Sequence, residues 1–275
     1  MAPPRLWWSW SSKTTVIGKS ATKVALIIEY DGTRLLGSQC QSRGATVQSE
    51  LETAIEKLTG EKLRVLLSSR TDTGVSAMGQ VGCFRTMSDL PLERILGGLN
   101  RYLPDDIAVK AAYRVPDSLD VRREAVSREY VYRIWNSPVP SPLSERFRYR
   151  VAPVLDERAM DEAAKKLVGT HDLAAFGSSG AAGKSTVRSV YKSGVSRDGM
   201  EVSFRIVASS FLTHQIRNTV GALIRVGQGK MNPEEFGALL EVKKPGSAGP
   251  AAPGKGLCLV KINYLKDLGE YNEDL

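Results

Sequence analysis

Apolar and polar positions along this chain follow two rhythms, and the switches between them mark out its elements. Val24 to Tyr30 is a β-rich run that stops at Asp31-Gly32, a turn dipeptide. In TVQSELETAIEKLTG the period lengthens. Val47, Leu51, Ala54, Ile55 and Leu58 then share one helical face, with Thr46 as N-cap and Gly60 just past the end. LRVLLSS predicts a buried strand, with Arg70 to Gly74 in the loop after it, and QVGCFRT predicts another strand. LPLERILGGLNRYLP predicts a helix with Pro91 near its first turn and Pro104 beyond it. IAVKAAYRV predicts a strand that stops at Pro116. The order β-α-β-β-α-β is that of a split βαβ unit.

The second half repeats the style. In REYVYRIWN, Tyr130, Tyr132 and Ile134 fall on one face and Val131, Arg133 and Trp135 on the other. DERAMDEAAKKLVG predicts a helix ending at Gly169. TVRSVYKSGVS and MEVSFRIVAS flank Arg197-Asp198-Gly199, a hairpin signal. FLTHQIRNTVGALIRVG and NPEEFGALLE predict a long and a short helix. A Pro/Gly-rich loop, KKPGSAGPAAPGKG, then leads to a last strand, LCLVKINY. The expected fold class is α+β: two halves, 23–116 and 117–275, each an antiparallel sheet with helices on one side. Residues 1–22 carry Trp7, Trp8 and Trp10 with basic residues and no acid, and show no clean period. They read as an unstructured extension or a start placed too far upstream.

Composition narrows the function. Of 275 residues, 42% are hydrophobic and 25% charged, so a substantial core is expected. No apolar run approaches the roughly 20 residues that cross a bilayer. Cys40, Cys83 and Cys258 sit far apart, which argues against a disulfide framework and fits a reducing cytoplasm. His171 and His214 have no metal-ligand spacing to each other or to the cysteines. A net charge of +8 favours a polyanion as partner, since basic surface speeds encounter with phosphates and releases their counterions.

The chemistry centres on SSRTDTGVSAMGQ, where Asp72 follows Arg70 and precedes Gly74. Three readings compete. An aspartic-protease acid shares one proton with a second carboxylate, but no second Asp-Thr-Gly or Asp-Ser-Gly occurs, and a neighbouring Arg opposes a shared proton. An Asp before Gly is also an ordinary turn residue. The third reading is a lone nucleophilic carboxylate, kept ionised by an ion pair with Arg70.

SRTDTGVSAMGQV resembles the GRTDAGVHA motif of the TruA-type tRNA pseudouridine synthases, and the resemblance continues in order. KVALIIEYDGT is similar to their first strand, TVQSELETAI to their first helix, LNRYLPDDIAV to their second helix-to-strand passage, and SREYVYRIWN to their tyrosine strand. GTHDLAAF, FLTHQIRNTVGALIRVGQGK and APGKGLCLVKINY follow in register, so that the match covers about Lys23 to Leu265. The resemblance implies two ferredoxin-like halves whose sheets join across a central catalytic cleft. It implies a cytoplasmic homodimer, without cofactor, that isomerises uridine to pseudouridine at positions 38–40 of the tRNA anticodon stem-loop. On the same ground Asp72 is the nucleophile, and Arg70 pairs with it and helps extrude the base. Tyr130 stacks on the uracil, Arg217 is a second active-site arginine, and Leu257 packs the pocket. Gln39, Arg122 and Arg128 are expected to bind substrate.

Blander readings stand beside these. Tyr130 is equally a strand aromatic of the core, and Arg217 a solvated helix residue. His214 reads as a surface histidine. Arg122, Arg123 and Arg128, like Arg146, Arg148 and Arg150, are either phosphate contacts or a solvated face. The chain also departs from the family pattern. Ser38 stands where the family usually has Trp, Ser76 where it has His, and Leu119-Asp120-Val121 where it has Phe-His/Asn-Ala. These changes bear on how RNA is gripped, and they leave open a slow or inactive RNA-binding member of the same fold.

Overall fold

The computed structural model describes residues 21–178 and 185–273, and the N-terminal extension therefore lies outside the described residues except for its last two positions. Ten strands build one sheet. In chain order they are β1 (Thr22–Tyr30), β2 (Leu66–Leu67), β3 (Ser76–Thr86), β4 (Ile107–Val115), β5 (Ala125–Asn136), β6 (Tyr149–Val151), β7 (Gly169–Asp172), β8 (Val187–Asp198), β9 (Glu201–Ala208) and β10 (Leu257–Tyr264). The main path runs β4-β1-β3-β10-β5-β9-β8-β7, with β2 beside β3 and β6 beside β5. The helices are α1 (Val47–Thr59), α2 (Leu92–Tyr102), α3 (Glu157–Lys165), α4 (Gln215–Gly227) and α5 (Pro233–Ala238). No helix among the described residues is long and apolar enough to cross a membrane.

Local chemistry explains most boundaries. The Thr46 hydroxyl accepts the Ser49 N–H and the Ser49 side chain answers on Thr46, a capping box that starts α1; Gly60 closes it in the left-handed conformation. Asp156 caps α3 through the Arg158 and Ala159 N–H groups. Gly199, with φ +55, turns the β8–β9 hairpin where the sequence signals it.

Three expectations need correction. The strand expected at LRVLLSS pairs over two residues only, whereas β3 starts at Ser76, ahead of the expected Gln80. The expected helix at Phe211 begins at Gln215, because His214 takes a left-handed backbone (φ 61) that no helix can contain. The helix expected to reach Gly169 stops at Lys165, and Gly169, at φ +123, opens β7 instead. The two antiparallel sheets join, as expected, and one strand makes the join. β10 lies between them, parallel to β3 (Cys258↔Ser76, Leu259↔Ala77) and antiparallel to β5 (Leu259↔Tyr130). Period-2 patterning announces a strand but not its neighbours, so the parallel pairing of β10 with β3 could not be read along the chain.

One apolar core runs through both halves, from Leu26 and Leu99 to Phe176, Phe204 and Phe236. The segment 250–252 crosses α4 at Gly221, where a Cβ would lie 2.1 Å from the Pro250 carbonyl oxygen. Only glycine permits that approach. Replacing it, Gly221→Ala, is expected to push the segment away and cost about 1–3 kcal/mol by overpacking. The midpoint of urea unfolding measures this; an unchanged midpoint would show that the crossing carries no strain.

Candidate active site

Asp72 emerges from a run, residues 69–71, whose backbone is fixed from two sides. Gln80 of β3, shut off from solvent, donates from Nε2 to the Ser69 carbonyl (2.8 Å) and accepts the Ser69 N–H (3.1 Å). Ser38, equally buried, holds Thr71 in the same reciprocal way. Its Oγ accepts the Thr71 N–H at 2.9 Å, and its own N–H donates to the Thr71 carbonyl at 3.1 Å. Tyr30 adds a hydroxyl contact to Thr71 Oγ1 at 2.8 Å. Gly37, at φ +94, lets the chains meet, since a Cβ there would stand 2.6 Å from the Thr71 carbonyl oxygen. Beyond Asp72 the Val75 N–H closes a turn onto its carbonyl at 3.1 Å, with Gly74 left-handed at φ +78.

The carboxylate is held by one oxygen. Arg217 of α4 donates from Nη1 to Oδ2 at 3.0 Å, and His214 Nε2 lies 3.5 Å from the same atom. Oδ1 accepts no hydrogen bond from the described residues. Arg217 is itself fixed, its Nε donating to the Ala252 carbonyl at 2.8 Å. A charge-assisted pair anchored at its far end orients the acid more sharply than a free surface pair would.

These groups line a cleft of about 570 Å³ at the seam where β3, β10 and β5 meet, within the range of small-ligand sites. Tyr130 on β5 is 5% exposed; its hydroxyl meets Ser69 Oγ at 2.9 Å, and Phe211 packs edge-on against its ring, centroids 5.2 Å apart. Burial pushes the phenol up to about 12, outweighing the Ser69 hydrogen bond, so at neutral pH Tyr130 carries its proton. Leu257, buried at the start of β10, supplies apolar wall. The lining holds one acid, Asp72, against Arg70, Arg122, Arg128, Arg188 and Arg217, an excess of positive charge suited to a phosphodiester chain.

A sequence model of the tRNA pseudouridine synthase family matches residues 26–122 and 163–265. The chain belongs to that family. Among its curated relatives is the tRNA pseudouridine synthase A of Acetivibrio thermocellus, 43% identical over 241 residues, which are 88% of this chain and 99% of that protein. The protein of the same name from Syntrophotalea carbinolica is 44% identical over 88% of this chain and 96% of its own length. That of Geotalea daltonii is 39% identical, over 88% and 99%.

For a member of this family, the departures from pattern have structural work to do. Ser38 clamps the Asp72 loop. Ser76 Oγ accepts the Gly32 N–H at 3.1 Å and so ties the turn after β1 to the start of β3. Asp120 folds a tight turn by accepting the Arg122 and Arg123 N–H groups, Leu119 and Val121 enter the core, and Arg122 is delivered to the cleft.

The structure redistributes several expected roles. The ion-pair partner of Asp72 is Arg217, 145 residues away, rather than Arg70, which is exposed at the cleft and pairs with none of the described residues. Arg128 is 8% exposed and donates from its guanidinium to the carbonyls of Ala125, Ser209 and Arg122, so it braces the cleft wall that it lines. Arg122 lines the cleft with one bond, to the Leu67 carbonyl. Gln39 is not part of the lining; its neighbours Gly37 and Ser38 do the positioning. Arg146, Arg148 and Arg150 pair with Asp31, Glu201 and Glu145. Sequence reasoning missed Gln80, Ser38 and the nearness of His214 to Asp72. Gln80 did leave a trace, as a polar residue amid the apolar run of β3.

Two outcomes are expected. Ser38→Ala leaves the Thr71 N–H buried without an acceptor, at a cost of about 1–3 kcal/mol, and lowers kcat more than it raises KM; denaturant melts and steady-state kinetics measure both. Tyr130, raised above its ordinary value of 10.0, favours folding fully below about pH 10, and that contribution is lost as pH climbs through about 12. Tyr130→Phe should therefore show a shallower alkaline loss of stability in unfolding titrations, and an unaltered slope would refute the assignment.

Proposed function

We propose that the chain isomerises uridine to pseudouridine in tRNA, at positions 38–40 of the anticodon stem-loop, with Asp72 as nucleophile and no cofactor. The observation that carries this reading is the carboxylate at the cleft: Oδ2 bound to Arg217, Oδ1 unoccupied, both on a clamped backbone. An enzyme that detaches a base and reattaches it through C5 needs one oxygen presented without competing donors, and a wall that keeps the base from drifting. Leu257 and Phe211 offer that wall, and the protonated Tyr130 hydroxyl offers a proton-bearing group near the ring. The target nucleotide must leave its stack to enter, and the exposed Arg70 at the cleft is placed to fill the gap or hold the displaced backbone.

The wider setting follows the same reading. The chain works in the cytoplasm as a homodimer, two subunits sharing one tRNA. Its basic surplus makes binding fall steeply with added salt. An inactive RNA-binding member is disfavoured, because each departure from the family pattern leaves Asp72, Arg217 and Tyr130 in one cleft.

The test is tritium release from C5-labelled uridine in an anticodon stem-loop transcript, with wild type beside Asp72→Asn. Release by wild type and at least about a thousandfold less by the variant, with RNA affinity retained, is the expected outcome. Equal release from both would remove Asp72 from the mechanism, and binding without release by either would leave only an RNA-binding protein.

A further inference from the structure

His214 is the one non-glycine residue with positive φ among the described residues. A left-handed backbone at histidine is strained, and such strain persists only where its surroundings enforce it. Nothing about helix capping calls for it. His214 sits at the N-cap of α4, yet its side chain caps no N–H. Its side chain is neither buried nor fully solvated, 42% exposed, and it borders the cleft, with Nε2 3.5 Å from Asp72 Oδ2.

We infer that His214 is a positioning residue for Asp72: it occupies the second acceptor direction of Oδ2 and thereby stops the carboxylate from turning. The torsion at the end of an aspartate side chain is soft and nearly two-fold, so a single anchor leaves the two oxygens free to exchange places. Arg217 takes one lone pair of Oδ2 at 3.0 Å. The imidazole Nε2, 3.5 Å from the same oxygen, penalises the exchange and keeps Oδ1 the free atom. The αL twist at His214 brings the ring to this place one residue before α4 begins, while Arg217 approaches from its first turn. Two nitrogens from the start of one helix thus converge on a single atom of the opposite half. The inference rests on Asp72 being the nucleophile.

The experiment compares His214→Gly and His214→Asn with wild type and Asp72→Asn, reading kcat and KM by tritium release and Tm by thermal unfolding. Glycine accepts the left-handed backbone without strain, so His214→Gly should keep or raise Tm while kcat falls about 10- to 100-fold and KM stays within about threefold. Asparagine tolerates the same backbone and brings an N–H donor, so His214→Asn should recover part of kcat. A drop in Tm that accompanies the loss of kcat in both variants would make His214 merely structural and overturn the inference. So would an unchanged kcat in His214→Gly while Asp72→Asn is inactive, which leaves the nucleophile standing. Undiminished release by Asp72→Asn would instead remove the nucleophile reading and this inference together.

Discussion

The register of β10 between β3 and β5 is the constraint on which the site depends. It places Leu259 opposite Tyr130 on one side and Ala77 on the other, and starts Leu257 at the cleft. Because side chains alternate across a strand, a slip by one residue would turn Leu257 and Leu259 to the opposite face and break the cleft wall. The parallel contact with β3 is brief, two residue pairs, whereas the antiparallel contact with β5 runs nearly the length of the strand. β10 is therefore held chiefly by the C-terminal half, and it presents that half to the loop bearing Asp72.

The Asp72–Arg217 pair crosses the same seam at side-chain level. Its members come from different halves, and each is fixed by backbone partners of its own: Thr71 on Ser38, Arg217 on the Ala252 carbonyl. Geometry of this kind does not rest on the pair's own strength, which for a partly exposed ion pair is modest. The anchors make it reliable. Gly37 and Gly221 belong to the same design, since each removes a Cβ where two backbones must touch for an anchor to form.

The sequence carried the elements whose causes are local. Thr46, Gly60 and the apolar stripe between them define α1 within a residue, and Arg197-Asp198-Gly199 marks the β8–β9 turn. Asp72, Tyr130, Arg217 and Leu257 were legible through motifs in register, and the fold brings all four to one cleft. What stayed hidden has non-local causes. The insertion of β10 depends on which strand edges remain free, and the exchange of Arg70 for Arg217 beside Asp72 depends on where α4 lands. Arg128 looked like a basic surface residue because nothing in the order of residues reveals three carbonyls waiting around it.

The order of strands has a consequence for synthesis on the ribosome. β10 is translated after both sheets it joins, so a nascent chain that has finished β9 exposes β3 and β5 along the edges where β10 will lie. Open edges of this kind invite pairing with other chains. During that interval the unfinished protein carries both edges unpaired. Its vulnerability ends in one step, when a single strand arrives and covers both edges.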